Sequence, residues 1–303
     1  MDIEKVIIEL MAGVVPERKA EFSQLLENYS PHFHLSDDRP GFFLEAGAFG
    51  IVQFTHRTML KLALLGHASK LGLHCYAGLL VILNTQNEPL RRSELEAIPG
   101  QAEAQNLYNQ CIEAIYELSA IERLDDFTWP EWAPSPYTGR PTDNEDALAY
   151  DLSLIATAYT FLHEIQHVKF SGGECERPQQ VEEEKKCDEF ARMYITEKID
   201  IYAKQSGWPA EKIFQKRGMG IVLASILLFV ITPPESRVGG DSHPSVSSRL
   251  VDNQITGYVD ENSNYWLYTA SLLASQLAYE GSLPDEMSFN SYCDLARKLA
   301  NHV

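Results

Sequence analysis

The chain has 303 residues, of which 45% are hydrophobic and 22% charged, a composition that indicates a folded globular protein and excludes an intrinsically disordered one. Its 25 lysines and arginines against 43 aspartates and glutamates give a formal charge of −18. That balance excludes a protein that works mainly by binding nucleic acid and argues against docking on an anionic membrane. Five cysteines without a CxxC pair indicate reduced thiols, and the acidic N-terminus is unlike a signal peptide, so we predict a cytoplasmic protein.

The N-terminal part mixes helical and extended patterns. Apolar residues at helical spacing predict three helices, over residues 16–29, 56–71 and 101–124. Short apolar, aromatic and β-branched runs near glycines predict three strands, over residues 41–46, 50–55 and 78–83. This part is therefore expected to hold a small sheet among helices.

A loop over residues 127–144 separates this part from the rest of the chain. It holds four prolines and two tryptophans, which exclude a regular helix and favour packing against the body of the protein. We therefore predict an N-terminal α+β part at residues 1–130 and a helical part at residues 131–303, packed as one compact unit.

The C-terminal part is predicted to be almost entirely helical. A capping box at Thr142 and Glu145 starts a helix that runs to Phe170, where residues 171–173 (SGG) stop it. Further helices are predicted over residues 180–205, 209–232, 244–255, 263–280 and 286–300. The fold class is thus α+β and predominantly helical, with a small N-terminal sheet.

Residues 218–231 form an uncharged apolar run of 14 residues. A bilayer-spanning helix needs about 18–20 such residues, so this length favours a buried core helix. An interfacial or re-entrant element stays open as the alternative.

The strongest chemical motif is HEIQH at residues 163–167. Because His163 and His167 are four residues apart, a helix projects both rings from one face, where they can bind one Zn²⁺. Glu164 lies beside that face and can act as a general base. The alternative is a helix with two hydrogen-bonded histidines. Burial favours a metal, because the preceding residues on the helix are apolar: Leu152, Ile155, Ala156, Tyr159 and Leu162.

A catalytic zinc needs a third protein ligand, and the next helix offers one. Glu184 and Asp188 share a face, so Glu184 can bind the metal while Asp188 accepts a hydrogen bond from a ligand histidine. Glu182 and Glu183 compete for the ligand role, and Cys187 is chemically capable of it. The alternative for the whole run is a solvated charged face.

A third element begins at His243. This histidine precedes a proline at a predicted helix start, where it could hydrogen-bond a transition-state oxyanion, and Arg249 could bind a carboxylate or a carbonyl oxygen. A capped surface helix is the alternative, and these residues alone favour it slightly.

The three motifs together resemble the gluzincin metallopeptidases, which include the CAAX prenyl protease and the heat-shock membrane protease. HEIQH, EKKCD at 184–188 and HPSVSSR at 243–249 match their HExxH, ExxxD and His-Pro before Arg. Chain length and the Trp-Pro loop at residues 129–132 resemble the phage-exclusion peptidase Lit family more closely.

The resemblance implies a zincin-like core and a role for each of seven residues: zinc ligands His163, His167 and Glu184, the base Glu164, the ligand-supporting Asp188, and His243 and Arg249 near the substrate. It further implies a cytoplasmic endopeptidase that cuts a protein substrate in phage defence, triggered by an activating protein or peptide.

Two other classes of function stay open. One is a protein-binding sensor or defence module with a structural metal and no proteolysis, for which the −18 charge suits a partner with a basic surface. The other is metal-dependent hydrolysis of a non-peptide amide. A glutamate beside two metal-ligating histidines favours the peptidase, because a binding module needs no general base.

Overall fold

Helices dominate the computed structural model of the chain, which describes residues 2–95, 97–172, 177–255 and 259–303. Its 67% helix content with few strands confirms the predicted α+β, predominantly helical class. The helices are α1 (Ile3–Val14), α2 (Lys19–Tyr29), α3 (His56–Gln86), α4 (Arg92–Leu95), α5 (Gln101–Ala120), α6 (Asn144–Ser171), α7 (Gln180–Thr196), α8 (Ile199–Ser206), α9 (Ala210–Ile231), α10 (Val246–Asp252), α11 (Asn264–Tyr279) and α12 (Tyr292–Ala300). The strands are β1 (His32–Leu35), β2 (Leu44–Ala46), β3 (Ile51–Phe54), β4 (Leu90–Arg91) and β5 (Glu286–Met287).

The N-terminal sheet places a strand edge beside α6. Its order is β1-β3-β2, with β1 parallel and β2 antiparallel to β3, so β2 lies at an edge. Phe161 of α6 packs edge-on against Phe33 and Phe54, with ring centroids 5.9 and 5.0 Å apart. These aromatic contacts fix the sheet on α6. A second, two-stranded sheet pairs β4 with β5.

The apolar run at 218–231 is part of a buried core helix. Among the described residues, α9 is the one helix long and apolar enough to cross a membrane, and 78% of its most apolar window is buried inside the protein. That degree of burial is typical of the core helix of a soluble protein.

One predicted strand is wrong. Residues 78–83 continue α3, whose buried positions Gly72, Tyr76, Leu80 and Leu83 recur every three or four residues. No proline separates this run from the start of α3, and packing holds the helix together through Gly66 and Gly72, so it extends through the run, as a short apolar run allows.

Several predicted helix boundaries shift. Asp143, rather than Thr142, caps α6 by accepting the N–H groups of Glu145 and Asp146 at 3.0 Å. α6 ends at Ser171, one residue after the predicted end at Phe170, and Gly173 of the predicted stop lies outside the described residues. The predicted helix at 180–205 is two helices, α7 and α8, and the helices predicted at 101–124, 244–255, 263–280 and 286–300 are shorter than expected. Local spacing places helices better than it places their ends.

Side chains from both predicted parts share one hydrophobic core, including Leu64 from the first and Leu223 from the second. The division at residue 130 stays a prediction. The described cysteines, Cys75, Cys111, Cys187 and Cys293, are free and buried, while Cys175 lies outside the described residues.

Close packing of α3 on α6 depends on Gly66. A Cβ added there would lie 2.7 Å from both the Ala149 carbonyl oxygen and the Ser153 Cβ. We expect Gly66→Ala to lower the free energy of unfolding by about 1–3 kcal/mol, because the two helices must separate. Gly78→Ala on the same helix, with nothing within 4 Å of the new Cβ, should raise it by about 0.5–1 kcal/mol. Urea unfolding of both variants measures the difference, and effects of the same sign would contradict it.

Lys61 on α3 makes the free energy of unfolding vary with pH in the alkaline range. Its buried Nζ donates a hydrogen bond to the Gly41 carbonyl, and burial, followed by the Arg57 charge, lowers its pKa from 10.5 to about 8. Between these values the unfolded chain binds more protons than the folded one, so stability rises with pH. Relative to Lys61→Met, the wild type should gain about 2 kcal/mol in free energy of unfolding between pH 7 and 9.5. If urea unfolding gave the same change in free energy of unfolding with pH for the wild type and Lys61→Met, this prediction would be disproved.

Candidate active site

α6 brings its two histidines together. His163 and His167 are one helical turn apart, and their Nε2 atoms lie 3.2 Å from each other. The His163 side chain is 9% exposed and that of His167 is 16% exposed. Both rings therefore point toward one spot at the floor of a cleft.

Glu184 reaches that spot from α7. One carboxylate oxygen lies 3.4 Å from His163 Nε2, and the other lies 3.4 Å from His167 Nε2. Ligands held about 2.0–2.1 Å from a tetrahedral zinc ion lie roughly 3.3–3.4 Å from one another. The three side chains therefore fit the spacing of three zinc ligands.

The other ligand candidates are placed differently. Glu182 is exposed, and Glu183 points to the opposite ring nitrogen of His167, whose Nδ1 lies 2.8 Å from Glu183 Oε1. Cys187 Sγ does lie within 4.8 Å of ligand atoms of both histidines. Its thiol is fully buried, however, and burial, followed by the nearby carboxylates, strongly raises its pKa. Glu184 lies 3.4 Å from both Nε2 atoms and is ionised, which favours it over Cys187 as a third ligand.

Asp188 supports the outer side of His163. It accepts hydrogen bonds from His163 Nδ1 and from the Tyr159 hydroxyl, both at 2.9 Å, and from Arg249 at 2.5 and 2.7 Å. Burial favours the neutral acid, but the His163 hydrogen bond and the Arg249 charge lower the pKa of Asp188 to about 2. An ionised Asp188 holds the Nδ1 proton of His163, which leaves Nε2 free to bind a metal.

Glu164 is held by the sheet edge. Its Oε2 accepts the Ala46 N–H at 2.6 Å, a contact between α6 and β2. Burial raises the pKa of the Glu164 carboxyl, although the two neighbouring histidines oppose that shift. A raised pKa brings a carboxylate closer to the range in which it works as a general base.

His163, Glu164, His167 and Glu184 line a cleft of about 580 Å³ between β2 and the C-terminal end of α9. His243 lies at its mouth, with a side chain 66% exposed and Nδ1 at 3.5 Å from a Glu184 oxygen. Arg249 also lines the cleft, with its guanidinium turned toward Asp188 and 3.5 Å from Glu184. One wall is apolar and is formed by Ala224, Leu227, Leu228, Ile231 and Val246.

A model of a known family covers this region. The family described as Peptidase U49 matches residues 52–269, more than two thirds of the chain. The chain belongs to the Peptidase U49 family. No curated protein and no solved structure matches it. The U49 match includes every predicted site residue from His163 to Arg249, and membership supports a protease function, the predicted class of activity.

The U49 site concentrates negative charge around its histidines. Four carboxylates, those of Glu164, Glu183, Glu184 and Asp188, surround the two rings. Burial would lower the pKa of His163, but hydrogen bonds with Asp188 and Glu184 raise it to about 9. The centre of the site therefore favours a positive charge.

Several contacts in the U49 site are absent from the sequence predictions, among them those of Tyr159, Ala46 and Glu183. Tyr159 donates a hydrogen bond to Asp188, and its position four residues before His163, on the same helix face, is the signal that could indicate this contact. The Ala46 contact depends on the sheet, so no local pattern indicates it. The sequence offers Glu183 only as a competing ligand, because its hydrogen bond to His167 depends on side-chain direction.

Proposed function

We propose that this chain is a zinc-dependent endopeptidase. One observation carries the proposal: two imidazole nitrogens and a carboxylate converge at 3.2–3.4 Å, beside the half-buried Glu164, at the floor of an open cleft. His163, His167 and Glu184 would hold the metal, leaving a position for water as in catalytic zinc sites. A zinc ion there supplies polarisation of the scissile carbonyl and acidification of water.

Glu164 is the proposed general base. With Oε2 fixed by Ala46, its other oxygen is free to accept the proton of the attacking water and then pass it to the leaving amine. His243, exposed at the cleft mouth, would donate a hydrogen bond to the carbonyl oxygen as charge develops on it. Arg249 would act by holding Asp188 and Glu184 in place.

The edge of β2 suits an extended protein substrate. Phe43 and Gly47 make backbone hydrogen bonds to the β3 side of the strand. Because successive residues of an antiparallel strand alternate in direction, the backbone N–H and C=O groups of Leu44 and Ala46 point to the other edge of β2, on the side of the cleft. The Ala46 N–H is already bonded to Glu164, so a substrate segment could pair with the Leu44 end of that edge while placing an apolar side chain against Leu227 and Leu228. We therefore propose a protein substrate, cut within an extended segment.

We also propose a cytoplasmic, anti-phage role in which a protein or peptide activates the enzyme. The support is family membership together with the motif resemblance to phage-exclusion peptidases. The net charge of −18 would steer a partner with a basic surface toward the protein.

Metal content measured by mass spectrometry tests the site. We expect one zinc per chain in the wild type and a loss of most of it in His163→Ala and Glu184→Ala. Two controls on α7 should retain zinc: Glu182→Ala, which changes an exposed residue, and Cys187→Ala, which removes the competing ligand. Absence of zinc from the wild type after reconstitution at neutral pH would overturn the proposal, and loss in Cys187→Ala alone would indicate a structural metal site.

A further inference from the structure

A second polar chain supports His167, and it lies at the opposite end of the site from Asp188. Glu183 is nearly buried, with 4% of its side chain exposed, and its Oε1 lies 2.8 Å from His167 Nδ1. Arg177 holds both oxygens of this carboxylate, with Nε at 2.6 Å from Oε2 and Nη2 at 3.1 Å from Oε1. The Glu183 carboxylate is thus held by hydrogen bonds from both His167 and Arg177.

We propose that Glu183 and Arg177 are positioning residues that orient His167 as a metal ligand. Glu183 fixes the proton on Nδ1, so the lone pair of Nε2 points toward His163 and Glu184. Arg177 fixes the carboxylate through two parallel hydrogen bonds, a geometry in which Arg constrains the plane of its partner. The inference rests on the proposed zinc site.

The same arrangement, a carboxylate followed by an arginine, also supports His163. His163 is backed by Asp188 and then Arg249, just as His167 is backed by Glu183 and then Arg177. Each ligand histidine therefore has its own carboxylate and its own guanidinium.

The two supports differ in exposure. The Arg249 side chain is 13% exposed, whereas Arg177 is 62% exposed and lines the cleft. Arg177 is exposed, Glu183 keeps its His167 partner, and a glutamine at 177 can still donate a hydrogen bond, so Arg177→Gln should barely change the stability of the metal-free protein. Its effect should appear in metal affinity instead, where loss of such an outer partner costs about 10–100-fold.

Zinc affinity of the full chain, measured by competition with a chromophoric chelator, tests the inference. We expect Arg177→Gln to bind zinc about 10-fold more weakly and Glu183→Gln about 10–100-fold more weakly. Arg177→Lys keeps the charge but loses the second parallel hydrogen bond, so it should recover only part of the affinity. The matched control is Arg140→Gln, because Arg140 is 57% exposed and holds Asp151 through two similar hydrogen bonds at 2.7 and 3.0 Å.

Two further readouts separate positioning from a structural role. The melting temperature of metal-free Arg177→Gln should match that of the wild type. In the zinc-loaded wild type, nitrogen-15 NMR of the imidazoles should show His167 protonated at Nδ1, with that signal shifted or broadened in Arg177→Gln.

The outcomes distinguish this inference from the proposed function. If the wild type binds no zinc, the proposed function fails. If the wild type binds zinc and both Arg177→Gln and Glu183→Gln bind it equally well, only the positioning role is overturned. An equal weakening in Arg140→Gln would also overturn it, because the effect would then be one of general surface charge.

Discussion

Glu164→Gln is expected to lower the rate of peptide-bond hydrolysis by about 10²–10⁴-fold while the protein keeps its zinc. Glutamine has the size of glutamate, and its side-chain oxygen can still accept the Ala46 N–H, so the contact between α6 and β2 should persist. It cannot accept a proton from water. Folding and metal binding should therefore survive the loss of turnover.

The measurement combines zinc content with cleavage of a peptide library derived from a bacterial proteome. Glu145→Gln is the matched control, since Glu145 lies in the exposed first turn of the same helix and should leave both readouts unchanged. A Glu164→Gln protein that holds zinc and cleaves as fast as the wild type would exclude this general base. A wild type that holds zinc and cuts nothing in the library, even with lysate of phage-infected cells added as a source of the proposed activator, would favour the partner-binding alternative.

The residues that sequence spacing places best are those on a single helical face. His163 and His167, four residues apart, had to project together once α6 formed, and the same argument pairs Glu184 with Asp188. The convergence of the two helices at 3.4 Å depends on tertiary packing, which spacing alone left open.

The contacts that could not be predicted from the sequence depend on side-chain direction or on the pairing of strands distant in the chain. Glu183 and Glu184 are adjacent and chemically identical, yet one faces the Nε2 atoms and the other His167 Nδ1. The Ala46 contact requires β2 to pair with β3, and β3 with β1, a register that no local pattern fixes. The strand prediction at residues 78–83 is wrong for a different reason: a short apolar run of six residues fits a strand and a helix equally well.

A buried ion pair between Arg217 and Glu17 is expected to make a large contribution to the free energy of unfolding. Arg217 on α9 and Glu17 have side chains 3% and 0% exposed, and they meet through two hydrogen bonds at 2.5 and 2.9 Å. Arg217 also donates to the Ile195 carbonyl at 2.8 Å, which ties the last turn of α7 to α9. Arg217→Met would leave a buried carboxylate without its counter-charge, at a cost of about 3–5 kcal/mol in free energy of unfolding.

Urea unfolding of a double-mutant cycle tests this cost. If an unpaired charge causes it, adding Glu17→Leu to Arg217→Met should restore much of the lost stability, since apolar residues of similar volume can replace a buried pair at little cost. Arg123→Met is the control, because Arg123 and Asp125 are 72% and 86% exposed and their pair should contribute less than about 0.5 kcal/mol. Recovery in the double variant assigns the cost to the charge left on Glu17, whereas a loss that persists there assigns it to the tie between α9 and Ile195 at the end of α7.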